Sequence, residues 1–220
     1  MIKLTSRMRR VFSQGGEEGV LEAIFEHVGA PTQFFVDIGA GVDHGNSNTH
    51  LFATQGWKGE CFDARPSSFA HLAKFNAENA CALLAEQQVP IEFDLLALDI
   101  DGIDWWVLAA ILKQYRPRVV IAEFNGALDM DPPLTVPNDP NWEWAGNSHY
   151  GASLGAFRVL AEARGYVLLY QFCAVNCFLV RADLMPEGWH PDLVEFATCP
   201  SHPAGPRDAP WHTITEDDLR

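Results

Sequence analysis

The sequence predicts an α/β fold, in which a mostly parallel sheet is crossed by helices and completed by an antiparallel hairpin. Apolar runs of about six residues alternate with segments of helical period, the pattern of buried parallel strands joined by crossover helices. Two late apolar runs, "YVLLYQF" (166–172) and "NCFLVRA" (176–182), are separated by three residues. A parallel crossover needs about a dozen residues or more, so these two must pair antiparallel.

The first helix is read in "SQGGEEGVLEAIFEHVG" (13–29), where Val20, Leu21, Ile24, Phe25 and Val28 share one face and Gly29 is the stop. "QFFVDIG" (33–39) is the first strand and "GECFDA" (59–64) the second. "SSFAHLAKFN" (67–76) opens on good capping residues and is expected to be helical, which leaves "ACALLAE" (80–86) as the third strand. "EFDLLALDI" (92–100) and "RVVIAEF" (118–124) are the clearest strands. Between them a helix runs over 105–112, with Asp104 its expected N-cap and Trp105 and Trp106 its core aromatics. "ASLGAFRVLAEARGY" is a helix capped by Ser153 and ended by Gly165.

A chain of 220 residues and this apolar content suits one domain. Residues 1–12 read as an N-terminal arm. Residues 126–149, rich in Pro and Asn, read as a substrate loop or lid, and residues 185–220 as an irregular Pro-rich wrap. A net charge of −14 argues against nucleic acid or an anionic membrane as partner. No apolar run approaches the roughly 20 residues that span a bilayer, and a cytoplasmic location is expected. Cys61, Cys81, Cys173, Cys177 and Cys199 form no metal or disulfide pattern; Cys173 and Cys177 read as small hydrophobes. A small molecule is the expected partner, and a homo-oligomer is compatible with the chain.

In an open parallel sheet, ligands bind beyond the carboxyl ends of the strands. The residues there are Asp37, Gly39 and Gly41 after the first strand and Asp63 after the second. Asp99 and Asp101 follow the fourth, and Glu123 and Asn125 the fifth. "VDIGAGVDHGNSNT" (36–49) has glycines where backbone approaches a ligand, yet no lysine for a polyphosphate. An acidic residue closing the second strand suits a ribose diol. A neutral or cationic nucleoside therefore fits better than a nucleotide, and S-adenosylmethionine is the common cationic one.

Six stretches in order carry a resemblance: "SQGGEEG" (13–19), "FFVDIGAGVDHGNSNT" (34–49), "GWKGECFDARP" (56–66), "DLLALDIDGIDWWV" (94–107), "RVVIAEFN" (118–125) and "YGASLGAFRVLAEARGYVLL" (150–169). Together they resemble the FkbM-type methyltransferases. The resemblance implies a Rossmann-like class I methyltransferase fold, with a seven-stranded mostly parallel sheet and helices on both faces. It also implies S-adenosylmethionine as cofactor and O-methylation of a small polar acceptor such as a sugar. Carried over, it sets Asp37, Gly39 and Gly41 along the methionine end and Asp63 at the ribose, with Asn48 a further cofactor contact. Ser13, Gln14 and Glu17 would close over the cofactor, and Asp99 would mark the transfer site. The turn that usually meets adenine has no counterpart, and Ala85 and Glu86 are the nearest candidates.

Asp99, Asp101, Glu123 and Asn125 could supply hard oxygen ligands to Mg²⁺ or another divalent cation, or bind substrate hydroxyls without one. His149 is a candidate general base or further ligand. Trp142, Trp144 and Tyr150 are candidate substrate contacts. Two other readings compete. "LLALDIDG" is similar to the first motif of haloacid-dehalogenase-like Mg-dependent phosphatases, although the only lysine after it is Lys113. A non-catalytic methyltransferase-like binding protein is the other.

Overall fold

The computed structural model describes residues 4–172, 175–190 and 209–220, with the side chain of Phe172 left aside. Its centre is a seven-stranded sheet in the order β3-β2-β1-β4-β5-β8-β7. The strands are β1 (Phe34–Ile38), β2 (Lys58–Asp63), β3 (His71–Leu72), β4 (Leu95–Leu98), β5 (Val119–Glu123), β7 (Tyr166–Phe172) and β8 (Asn176–Arg181). The first five run parallel, and β8 pairs antiparallel with both β5 and β7. The expected hairpin is therefore present. A separate two-stranded sheet joins β6 (Leu134–Thr135) to β9 (His212–Thr213). This is an α/β protein, consistent with a Rossmann-like fold.

Alternation along each strand sends side chains to two cores. Val36, Ile38, Leu96, Leu98, Val120 and Leu179 meet α3 (Ala80–Glu86), α4 (Asp104–Ile111) and α5 (Leu154–Arg164). Phe35, Leu95, Ala97, Ile121 and Phe178 meet α1 (Glu17–Val28) and Phe52 of α2 (His50–Thr54). Helices thus cover both faces. In α1 the five residues of the expected apolar face are all buried, and Gly29 ends the helix at φ +71°. Ser153 Oγ accepts from Ala156 N to cap α5, which Gly165 ends in the left-handed region. Cys177 is buried in the first core, as expected of a small hydrophobe; Cys173 and Cys199 lie outside the described residues.

Three elements differ from the sequence reading. Residues 67–76 are not a helix. The Ser67 hydroxyl accepts from Phe69 N and Ala70 N, closing a local turn, and His71–Leu72 then adds to the free edge of β2. Residues 80–86 are not a strand but α3. Asn76 and Asn79 exchange side-chain bonds ahead of it, and Ala80 and Leu84, four apart, turn inward. Alanine and leucine are the strongest helix formers, so local propensity prevails there. The C-terminal wrap is not wholly irregular, since β9 pairs with β6 of the 126–149 loop; residues 191–208 lie outside the description. Among the described residues no helix is long and apolar enough to cross a membrane.

Candidate functional site

The parallel register aligns Ile38 with Phe62 and with Leu98, and Leu98 with Ala122. The polar residues that follow those positions therefore emerge along one edge. At Gly39 the chain turns with φ +88°, its amide donating to Phe62 O, and an added Cβ would lie 1.6 Å from the carbonyl oxygen of Asp99. Only glycine fits so close a crossing of backbones. Below the turn, Asp37 accepts from Thr49 Oγ1 at 2.5 Å, and burial raises its carboxyl to about 6. Asn48 Oδ1 is buried with no hydrogen-bond partner. Asp37, Gly39, Gly41, Asn48 and Asp99 share a chamber of about 110 Å³.

The N-terminal segment lies against this turn through a bridge between Ser13 and Asn46, with Gln14 exposed beside it. Glu17 is placed otherwise than expected. Its carboxylate accepts from Gly15 N and Gly16 N and from Asn176 Nδ2, so it holds the start of α1 to β8. It does not line the chamber. Glu18, which the sequence reading passed over, accepts from Phe12 N, Ser13 N and Ser13 Oγ and shapes the same segment.

At the tip of β2, Asp63 accepts from Gly41 N at 2.8 Å and from Arg65 N and Nε at 2.7 and 3.0 Å. Burial works to raise its carboxyl, but these donors outweigh it and hold Asp63 below the usual carboxylate range. Next to it is an apolar nook of about 90 Å³ between Ile38, Ala73, Phe75, Ile100, Ile103 and Trp142. Ala85 and Glu86 stand exposed on α3, away from the nook walls. The short β3 brings Ala73 to Phe75 to this place, which a helix over 67–76 does not predict. Arg65 was legible, two residues past an acidic strand tip, but was not singled out.

The three aspartates after β4 divide the work. Asp104, fully buried, is the first residue of α4 rather than its cap, and its carboxylate reaches backwards to accept from Ile100 N and Gly102 N, both at 2.8 Å. It folds the 99–104 turn upon itself. Burial raises it to about 6, against the pull of those amides. Asp101 is held at φ +56°, a strained conformation for a side-chain-bearing residue, and faces outward with Asp99. One oxygen from each of Asp99, Asp101 and Glu123 lies within 4.8 Å of the others. Asp99 opens onto the crevice but is backed by protein. Burial, then Asp104 and its other acidic neighbours, raise it to about 8, while a hydrogen bond with Glu123 opposes the rise. Glu123, 8% exposed, is pushed well upward by burial and by Asp99, and its Oε2 is buried without a partner.

Asn125 is not brought to this group. Its amide donates to Ser148 O and Tyr150 O, and its oxygen accepts from Ala127 N, so it fastens both ends of the loop. His149 is likewise displaced from the expected catalytic position. Its ring stands edge-on between Trp142 and Trp211, Nε2 is buried and unpartnered, and burial lowers its pKa. We assign it to the wall of the loop. Tyr150 lies under Trp144, its hydroxyl pushed upward by burial and by the field of Glu123 and Asp101. Trp142, seated on Gly102, and Trp144 do reach the crevice.

A cavity of about 590 Å³ joins these parts, bounded by Gly39, Asp63, Arg65, Lys74, Asp99, Asp101, Trp142, Glu143 and Trp144. It has the size of a small-molecule site. Lys113, needed by the phosphatase reading, falls past the far end of α4 from Asp104. No protein-family model matches the chain, nor does any curated protein.

Proposed function

We propose that this protein is a class I S-adenosylmethionine-dependent O-methyltransferase of FkbM type, acting on a hydroxyl of a small polar acceptor such as a sugar. One observation carries the reading: a single cavity touches the glycine turn after β1, the acidic tip of β2 and the aspartates after β4. The strand order, with an antiparallel hairpin at one end, supports it as well.

The donor, when bound, supplies a methyl group on a sulfonium. The residues fit it: Gly39 and Gly41 leave room for a methionine end, the orphaned Asn48 oxygen would accept from its ammonium, Asp63 would hold its ribose, and the Ala73–Phe75 nook would take its base. Asp37 and Asp101 give the crevice a negative field that favours a cation. The acceptor would be held by Trp142, Trp144 and Asp101, which line the same cavity. With the donor bound, the acceptor hydroxyl would give up its proton to the Asp99 carboxylate, whose raised proton affinity suits a base near neutral pH.

Asp99, Asp101 and Glu123 also fit a divalent cation, because their oxygens converge and the buried Glu123 Oε2 has no other partner. Bound there, it would supply charge that lowers the pKa of the acceptor hydroxyl. Transfer of label from S-adenosylmethionine to a panel of hydroxylated metabolites, with and without Mg²⁺, tests the proposal. Label in a methyl ether supports it, and none with any acceptor counts against it.

A further inference from the structure

Asp63 has a feature that the proposed ribose role does not explain. A carboxylate offers about four lone-pair positions, and each of the four is occupied. Oδ1 accepts from Arg65 N and Arg65 Nε at 2.7 and 3.0 Å, and Oδ2 accepts from Gly41 N and Arg65 Nη2 at 2.8 and 3.3 Å. Two of these donors are backbone amides fixed by the turn. The other two belong to one guanidinium, on a side chain 65% exposed and bordering the large cavity.

We infer that Arg65 is a latch on the cofactor site, holding the Asp63 positions that the two ribose hydroxyls require and releasing them when a nucleoside enters. The inference rests on the reading of Asp63 as the ribose carboxylate. Two donors must leave for two hydroxyls to arrive, and only the side-chain pair can leave without unfolding the turn. The freed guanidinium has anions within reach of its field, Asp101 across the crevice and Asp43 on the glycine turn.

The latch predicts that removing an arginine improves binding. Calorimetric titration of the full chain and of Arg65→Ala with S-adenosylmethionine and with S-adenosylhomocysteine tests this. The second ligand keeps the ribose and lacks the sulfonium charge. Loss of the competing charged hydrogen bonds should tighten both ligands by about tenfold. Arg65→Lys, which keeps the charge without the fork, should fall between the two proteins. Equal or weaker binding to Arg65→Ala overturns the latch while leaving the methyltransferase reading standing. A gain confined to S-adenosylmethionine also overturns it, because charge repulsion alone would then account for the effect. Absence of binding by either protein to either ligand removes the functional reading and the latch together.

Discussion

Gly39 and Asp99 meet backbone to backbone, with the place of a Gly39 Cβ only 1.6 Å from the Asp99 carbonyl oxygen. This contact locks the turn after β1 to the tip of β4, so the glycine turn and the acidic cluster share one rigid edge. Gly39→Ala should lose about 2–4 kcal/mol of stability in urea denaturation, from the clash and the left-handed backbone. It should also bind S-adenosylmethionine at least about tenfold more weakly.

Asp104 and Asp99, although five residues apart, should respond in opposite ways. Asp104→Ala strands the amides of Ile100 and Gly102 and should cost about 2–4 kcal/mol. Asp99→Asn removes a carboxylate that the fold does not need. It should abolish transfer and leave cofactor affinity within about threefold, or roughly 0.7 kcal/mol. Unchanged turnover in Asp99→Asn would take Asp99 out of the chemistry.

These two aspartates also show how far the sequence could be read. The apolar runs of β1, β4, β5, β7 and β8 announced themselves, because strands well buried in the sheet need long runs of hydrophobic residues. The acidic strand tips followed from the topology rule. Residues 67–86 failed because β3 is two residues long and forms through the edge of β2, which no local pattern encodes. Asn125 and His149 looked like ligands by residue type, yet Asn125 is bonded to the end of the loop and His149 is held between Trp142 of the loop and Trp211, 62 residues further on. Asp104 was read as a forward cap, whereas its bonds run backwards into the turn. Nothing in composition distinguishes the two.

The acidic cluster should make stability fall as pH rises. Folded Asp99 holds its proton to about pH 8, and Glu123, Asp37 and Asp104 are shifted in the same direction. The folded protein thus keeps protons that the unfolded chain gives up near pH 4, and the resulting stability is complete below that pH and lost on the way to 8. Melting temperature should drop by on the order of 5 °C between pH 5 and pH 8. Mg²⁺ should recover part of the loss at pH 8 and none at pH 5, where protons occupy its ligands. Asp99→Asn should flatten the profile.

Trp211, beside β9, braces His149, which braces Trp142 at the cavity wall. Trp211→Ala should loosen that wall without touching the glycine turn. The expected result is an acceptor KM raised by roughly tenfold with cofactor affinity unchanged, read from steady-state kinetics and calorimetry.

The central claim is that acidic tips of neighbouring parallel strands form one cationic-nucleoside site. Its most direct test is calorimetric titration of the unmodified chain with S-adenosylmethionine, run beside Asp63→Asn. The account predicts one site per chain with a Kd on the order of micromolar, weakened at least about tenfold in the variant. No heat at millimolar ligand, or equal affinity in the two proteins, would contradict it.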